Sequence, residues 1–180
     1  GFKQHKQRGI GHYAHNLLER LPLVTDRCSF TYLVDASKEI DSSIKALPVQ
    51  FLSHTGNRTL SGFSGFIGDQ ATLPRTLRKQ RFRLAHFLFH LDATLATPYP
   101  YVVALLDTIQ LSSRNLYGPL QNLKHGIMKG IGNRIVHRAS AITTISENSK
   151  KDIMHYYEVP SEKIHVPYLA AHQRFFQPIS

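Results

Sequence analysis

The chain has 180 residues, 42% hydrophobic and 19% charged, which is the composition of a globular domain and excludes a disordered one. A single cysteine, Cys28, excludes an internal disulfide and points to a reducing compartment. The formal charge of +10 favours an anionic partner, whether nucleotide phosphate, lipid head group or nucleic acid. The longest apolar run, Tyr99–Leu106, is far short of the ~20 residues a membrane helix needs. No signal-peptide pattern is visible, and the lack of an initiator Met points to a start inside a longer gene.

In chain order, residues 1–8 are polar and basic. Gly9-Ile10-Gly11 then opens a helix whose stripe is Ile10, Tyr13, Ala14, Leu17, Leu18 and Leu21, an unbroken i, i+3, i+4 pattern. Glycines at the start of a helix let backbone amides approach a phosphate at its positive end. Phe30–Val34 and Val49–Leu52 read as strands. Between Ser53 and Gly68 four glycines alternate with Phe63 and Phe66 without a period, so a long loop is expected there. Asn57-Arg58-Thr59 matches a glycosylation sequon by chance.

Leu73–Gln80 is expected as a helix and Leu84–Phe89 as the next strand. Arg75, Arg78, Lys79, Arg81 and Arg83 form the densest cationic cluster, either a solvated face or a surface that rests on phosphates. His86 and His90 have the spacing of helical metal ligands, but on a strand they stand about 13 Å apart. No metal site is expected, and no aromatic interleaving suggests nucleic acid.

Tyr101–Leu106 is a nearly continuous apolar strand ending at Asp107. A carboxylate at the carboxyl end of a parallel strand faces the crevice where α/β sheets bind ligands. The alternative is that Asp107 ties down its own loop. Pro119 starts a helix to about His137 bearing Leu120, Leu123, Ile127, Ile131 and Ile135, with Gly126 and Gly130 available for close packing on the sheet.

The most legible stretch runs from Arg138 to Val166 as strand, turn, helix, strand. Ala141–Ile145 is the strand and Ser146 the N-cap, with Glu147 in the first turn and Lys150 and Lys151 on the solvent side. Ile153, Tyr156 and Tyr157 form the apolar stripe, Pro160 stops the helix, and Ile164–Val166 is the last strand. Such units build a parallel α/β layer.

Four stretches together resemble the amino-terminal half of the retaining glycosyltransferases of family 4. They are Gly9-Ile10-Gly11-His12-Tyr13, Leu73-Pro74-Arg75 through His86-Phe87, Val102–Asp107, and Ile142–Ile153 with Val159–Val166. The last is similar to the family's "T-V-S-E-x-S-K-x-D" followed by "V-P-x-E-K-I-x-V". The resemblance implies a Rossmann-like parallel sheet flanked by helices over residues 1–166, one half of a GT-B enzyme. Residues 167–180 would begin the crossover to a donor-binding domain.

The implied activity is transfer of a hexose from a nucleotide-sugar, taken as substrate with no cofactor or metal, to a glycan or lipid-linked acceptor. The enzyme would be cytoplasmic, or peripheral at the inner face of an anionic membrane, with no nucleic-acid partner. Gly9, Ile10 and Gly11 would face the donor phosphates and Asp107 the reacting groups. Arg75, Arg78, Lys79 and Ser146 would contact acceptor or surface. Three departures stand out: Leu106 replaces the family's usual histidine, Ala170 replaces a glycine, and the first, central strand is missing. Its absence would leave a gap in the sheet. The competing class is a non-catalytic α/β module that binds a nucleotide or glycan.

Overall fold

The computed structural model describes residues 9–35, 40, 42–54, 63–106, 108 and 119–169. They belong to two compact units, Gly1–Arg81 and Phe82–Ser180. The described strands form two parallel sheets, one of two strands and one of four.

In the first unit, helix α1 (Gly9–Arg20) carries the predicted stripe, with Ala14 buried and Tyr13, Leu17 and Leu18 half-buried. It runs into a 3-10 turn, Leu21–Leu23, with Pro22 in its first turn. Strand β1 (Thr31–Asp35) pairs in parallel with β2 (Gln50–His54), Thr31 opposite Gln50 and Asp35 opposite His54. Between them lies a single turn of helix, α2 (Ser42–Lys45), that buries Ile44. Tyr32 fastens α1 to β1: its hydroxyl donates to the Leu18 carbonyl, and its ring meets Phe51 edge-on at 6.2 Å. Burial pushes the Tyr32 phenol up, as expected where the charged form is desolvated.

Helix α3 (Phe63–Arg78) corrects the long loop expected over Ser53–Gly68. Ser53 and His54 end β2, residues 55–62 lie outside the described residues, and Phe63–Gly68 is already helical. The helix expected to begin at Leu73 begins at Phe63, which leaves Pro74 buried in its interior. Side chains supplement the main-chain ladder around it: Thr72 Oγ1 donates to Gly68 O, Arg75 Nη1 to Ala71 O and Thr76 Oγ1 to Thr72 O.

In the second unit, β3 (Ala85–Phe87), β4 (Tyr101–Ala104), β5 (Ala141–Thr143) and β6 (Ile164–His165) pair in parallel in sequence order. Ala85 stands opposite Tyr101, Val102 opposite Ala141 and Ile142 opposite Ile164. The strand expected over Leu84–Phe89 shrinks to three residues, because the chain turns into a 3-10 helix at His90–Asp92. Helix α4 (Pro119–Arg138) crosses from β4 to β5, and α5 (Glu147–Tyr157) from β5 to β6. Right-handed crossovers between successive neighbours put both helices on one face, where they touch each other.

Val103, Ala104, Ile135, Val136, Ile142 and Ile153 are wholly buried and form the core of this unit. Each large aliphatic side chain so buried contributes about 1.5–3 kcal/mol. The Tyr101 hydroxyl donates to Ile135 O at 2.9 Å, tying the start of β4 to the last turns of α4.

The N-cap is as expected. Ser146 is extended, with φ −155° and ψ 157°, and its Oγ accepts the Ser149 amide at 3.1 Å. Lys150, expected on the solvent side, instead donates from Nζ to Ile164 O at 3.0 Å and is half-buried. Ile153 and Tyr157 are buried, whereas Tyr156 turns outward, 42% exposed. The helix ends at Tyr157, before Pro160, because Glu158 adopts the left-handed conformation, φ 51°.

Candidate functional site

Parallel sheets bind ligands beyond the carboxyl ends of their strands. In the second unit that edge is formed by Leu105 and Leu106 after β4 and by Thr144 to Ser146 after β5. Leu105 donates its amide to Thr143 O at 2.9 Å, and Thr144 donates its own to His165 O at 3.0 Å, so the ladder continues past the regular strands. Leu106 is buried, and its isobutyl group can neither donate nor accept a hydrogen bond. Asp107 lies outside the described residues, whereas Thr108 beyond it is described and buried.

Two hydroxyls escaped the sequence reading. Thr143 Oγ1 and Thr144 Oγ1 are buried without a hydrogen-bond partner at the carboxyl end of β5. A buried hydroxyl left unpaired costs about 1–3 kcal/mol, and such groups in native proteins are concentrated where a ligand or water supplies the missing bond. In sequence the Thr-Thr pair reads simply as β-branched strand formers. Its polar meaning appears only when the strand ends beside Leu106. Ser146 stands at the same edge, but its hydroxyl is already engaged, accepting from the Ser149 amide and donating to Ser149 Oγ at 3.0 Å.

The first unit presents its own carboxyl edge at His54, the last residue of β2. His54 Nδ1 lies 3.0 Å from Thr76 Oγ1, and Nε2 lies 3.7 Å from Asp69 Oδ1, both partners on α3. The Thr76 hydroxyl gives its one proton to Thr72 O, so the imidazole donates from Nδ1 to Thr76 Oγ1. Neither Nε2 nor Oδ1 has a hydrogen bond, since 3.7 Å is too long for one. Nothing in the sequence spacing signalled this trio, because Asp69 falls between the loop expected over Ser53–Gly68 and the helix expected over Leu73–Gln80.

Gly9, Ile10 and Gly11 form the first turn of α1, where main-chain amides have no intrahelical acceptor and the dipole is positive. Arg75 and Arg78 are exposed near the end of α3, and Lys79 and Arg81 are exposed just beyond it. Cations there also suit the negative helix end, so part of this cluster serves the helix itself. Gly9–Gly11 and the Arg75–Arg81 cluster belong to the first unit, Leu106 and Ser146 to the second.

Among the described residues no group of three His, Cys, Asp or Glu side chains is placed to hold a metal ion. No helix among them is long and apolar enough to cross a membrane.

Of the four stretches that carry the sequence resemblance, the first opens helix α1 with its glycines and the last forms the serine-capped helix after β5. No curated protein matches the sequence. The family model described as Glycosyltransferase Family 4 matches residues 8–169, nearly the whole chain, and the chain therefore belongs to glycosyltransferase family 4.

Proposed function

We propose that the chain is the acceptor-side half of a retaining GT-B enzyme that moves a hexose from a nucleotide-sugar to a glycan or lipid-linked acceptor. The observation that carries this reading is the family match over residues 8–169. The parallel layer of β3 to β6 and the glycine-opened helix α1 agree with it.

In this mechanism the bond between the sugar's anomeric carbon and the phosphate oxygen breaks while the acceptor oxygen bonds to the same face of that carbon. The acceptor's proton passes to the departing phosphate. Amides at Gly9–Gly11 and the dipole of α1 stabilise the growing negative charge, which suits an arrangement already oriented before reaction. No metal ion is called for. Asp107 orients the acceptor hydroxyl. Leu106 offers the donor sugar an apolar contact where a histidine would offer a hydrogen bond. Arg75, Arg78 and Lys79 hold the enzyme on the anionic inner face of the membrane from the cytoplasmic side.

The test is release of nucleoside diphosphate from UDP- and GDP-sugars by the intact protein, with and without Asp107→Ala. Release that falls at least about 100-fold in the variant supports the assignment, as expected for loss of an orienting group. Normal transfer by Asp107→Ala removes Asp107 from the mechanism.

A second reading, a non-catalytic module that binds nucleotide or glycan, is favoured by Leu106 alone. Binding of a nucleotide-sugar without any turnover would establish it.

A further inference from the structure

Three local choices in the second unit work against the stability of the elements that hold them. Gly126 and Gly130 lie one turn apart in the interior of α4, where each glycine costs about 1 kcal/mol relative to alanine. Packing does not explain them: a Cβ built at either position meets no heavy atom within 4 Å. Gly132 is the opposite case, since its Cβ would come within 3.1 Å of Leu91 Cδ2. The third is Glu158, held at φ 51° in a helix-ending position that suits glycine.

All three border one open cavity of about 430 Å³ between α4 and the end of α5. That volume lies within the span of small-molecule sites, about 300–1,000 Å³. Residues that break local rules without a packing reason are concentrated at functional sites.

The lining gives the chemistry. Lys129, Asn133 and His137 of α4 and Glu158 beyond α5 are the cavity's charged and hydrogen-bonding lining residues. Tyr156 contributes an exposed ring, and the buried Tyr157 closes the wall. An anion would meet Glu158, and a cation would meet Lys129. A neutral sugar suits both, because each hydroxyl donates and accepts while the ring's C–H face stacks on an aromatic.

Crossover helices run antiparallel to the strands, so the ends of α4 and α5 lie toward the amino-terminal edge of the sheet. The cavity therefore stands away from the carboxyl edge described above.

We propose that the groove between α4 and α5 is a non-catalytic saccharide-binding site, built on the Gly126–Gly130 floor with Tyr156 as stacking plate and Asn133 and Glu158 as hydrogen-bonding groups. That the sugar belongs to the acceptor glycan rests on the transferase reading.

The experiment is saturation-transfer NMR on the intact protein with maltotriose, mannotriose and triacetylchitotriose, each titrated to saturation. At least one is expected to bind saturably, with the strongest transfer to ring C–H protons. Gly130→Leu fills the groove and improves the helix, so binding should weaken about tenfold or more at an unchanged or raised melting temperature. Should that variant melt lower, Tyr156→Ala and Asn133→Ala make the same comparison. The absence of saturable binding by all three sugars, or undiminished affinity in the folded variants, overturns the proposal.

Nucleoside diphosphate release from UDP- and GDP-sugars, measured in parallel, separates the two conclusions. Turnover without groove binding removes only this site. Groove binding without turnover removes only the transferase reading.

Discussion

The imidazole of His90 meets the phenol ring of Tyr157 edge-on, with centroids 6.4 Å apart, joining the turn after β3 to the end of α5 inside the core of the second unit. Both rings are buried, His90 Nδ1 has no hydrogen-bond partner, and Phe89 packs on the imidazole at 4.8 Å. Burial shifts both groups toward their neutral forms: the imidazole is pushed down to about 4 and the phenol up to about 12.

This contact makes stability depend on pH in a definite direction. An unfolded His90 titrates near 6.5 and the native one at about 4, so between these values the unfolded chain binds the extra proton. The contribution is full above about pH 6.5, declines as pH falls toward 4, and changes no further below that. The loss is expected to reach about 3 kcal/mol, a large share of a typical domain's stability. Urea unfolding of wild type and His90→Phe from pH 7.5 to 4.5 measures it. The variant's curve should be flatter, and parallel curves would show that His90 does not carry the dependence.

The glycines of α4 should separate by environment. Gly126→Ala and Gly130→Ala are each expected to stabilise the protein by about 1 kcal/mol, since open space surrounds the new methyl group. Gly132→Ala should stabilise less or destabilise, because Leu91 Cδ2 stands 3.1 Å from the added carbon. Chemical denaturation of the three single variants gives the order directly.

At the start of α5, Ser146→Ala should cost about 1 kcal/mol, the usual loss for an N-cap whose oxygen holds a main-chain amide. Ser146→Asp should restore most of it, because a carboxylate accepts the same bond and favours the positive helix end. Equal stability of serine, alanine and aspartate at 146 would contradict the cap's importance.

The cationic end of α3 is tested with vesicles. Binding to phosphatidylglycerol-containing vesicles is expected to weaken with added salt and to drop when Arg75, Arg78 and Lys79 are changed together to serine. Each exposed basic residue near an anionic surface contributes about 1 kcal/mol, so the triple variant should lose at least about 100-fold. Co-sedimentation at two salt concentrations reads the effect. Salt-insensitive binding would assign these residues to the helix end alone.

Legibility in the sequence followed how local the determining forces were. The α1 stripe, the Ser146 cap and the strand-helix-strand run through α5 were readable because each rests on interactions within a few residues. The first half of α3 was not, because its glycines hide the helical period. Gly126 and Gly130 were read as available for close packing on the sheet, but a glycine's neighbours depend on which helix face is turned inward. The structure gave the packed position to Gly132 instead.

By itself, then, the sequence determined the parallel α/β class, the order of its elements and the family, because hydrophobic period, caps and short motifs are written along the chain. Tertiary structure decided which polar groups meet. The approach of His54 to Asp69 and Thr76, the unpaired hydroxyls of Thr143 and Thr144, and the groove bounded by Tyr156 and Glu158 all join residues through packing rather than spacing. A side chain's chemistry is fixed by its identity, but its neighbours, and with them its burial, charge state and use, exist only once the chain has folded.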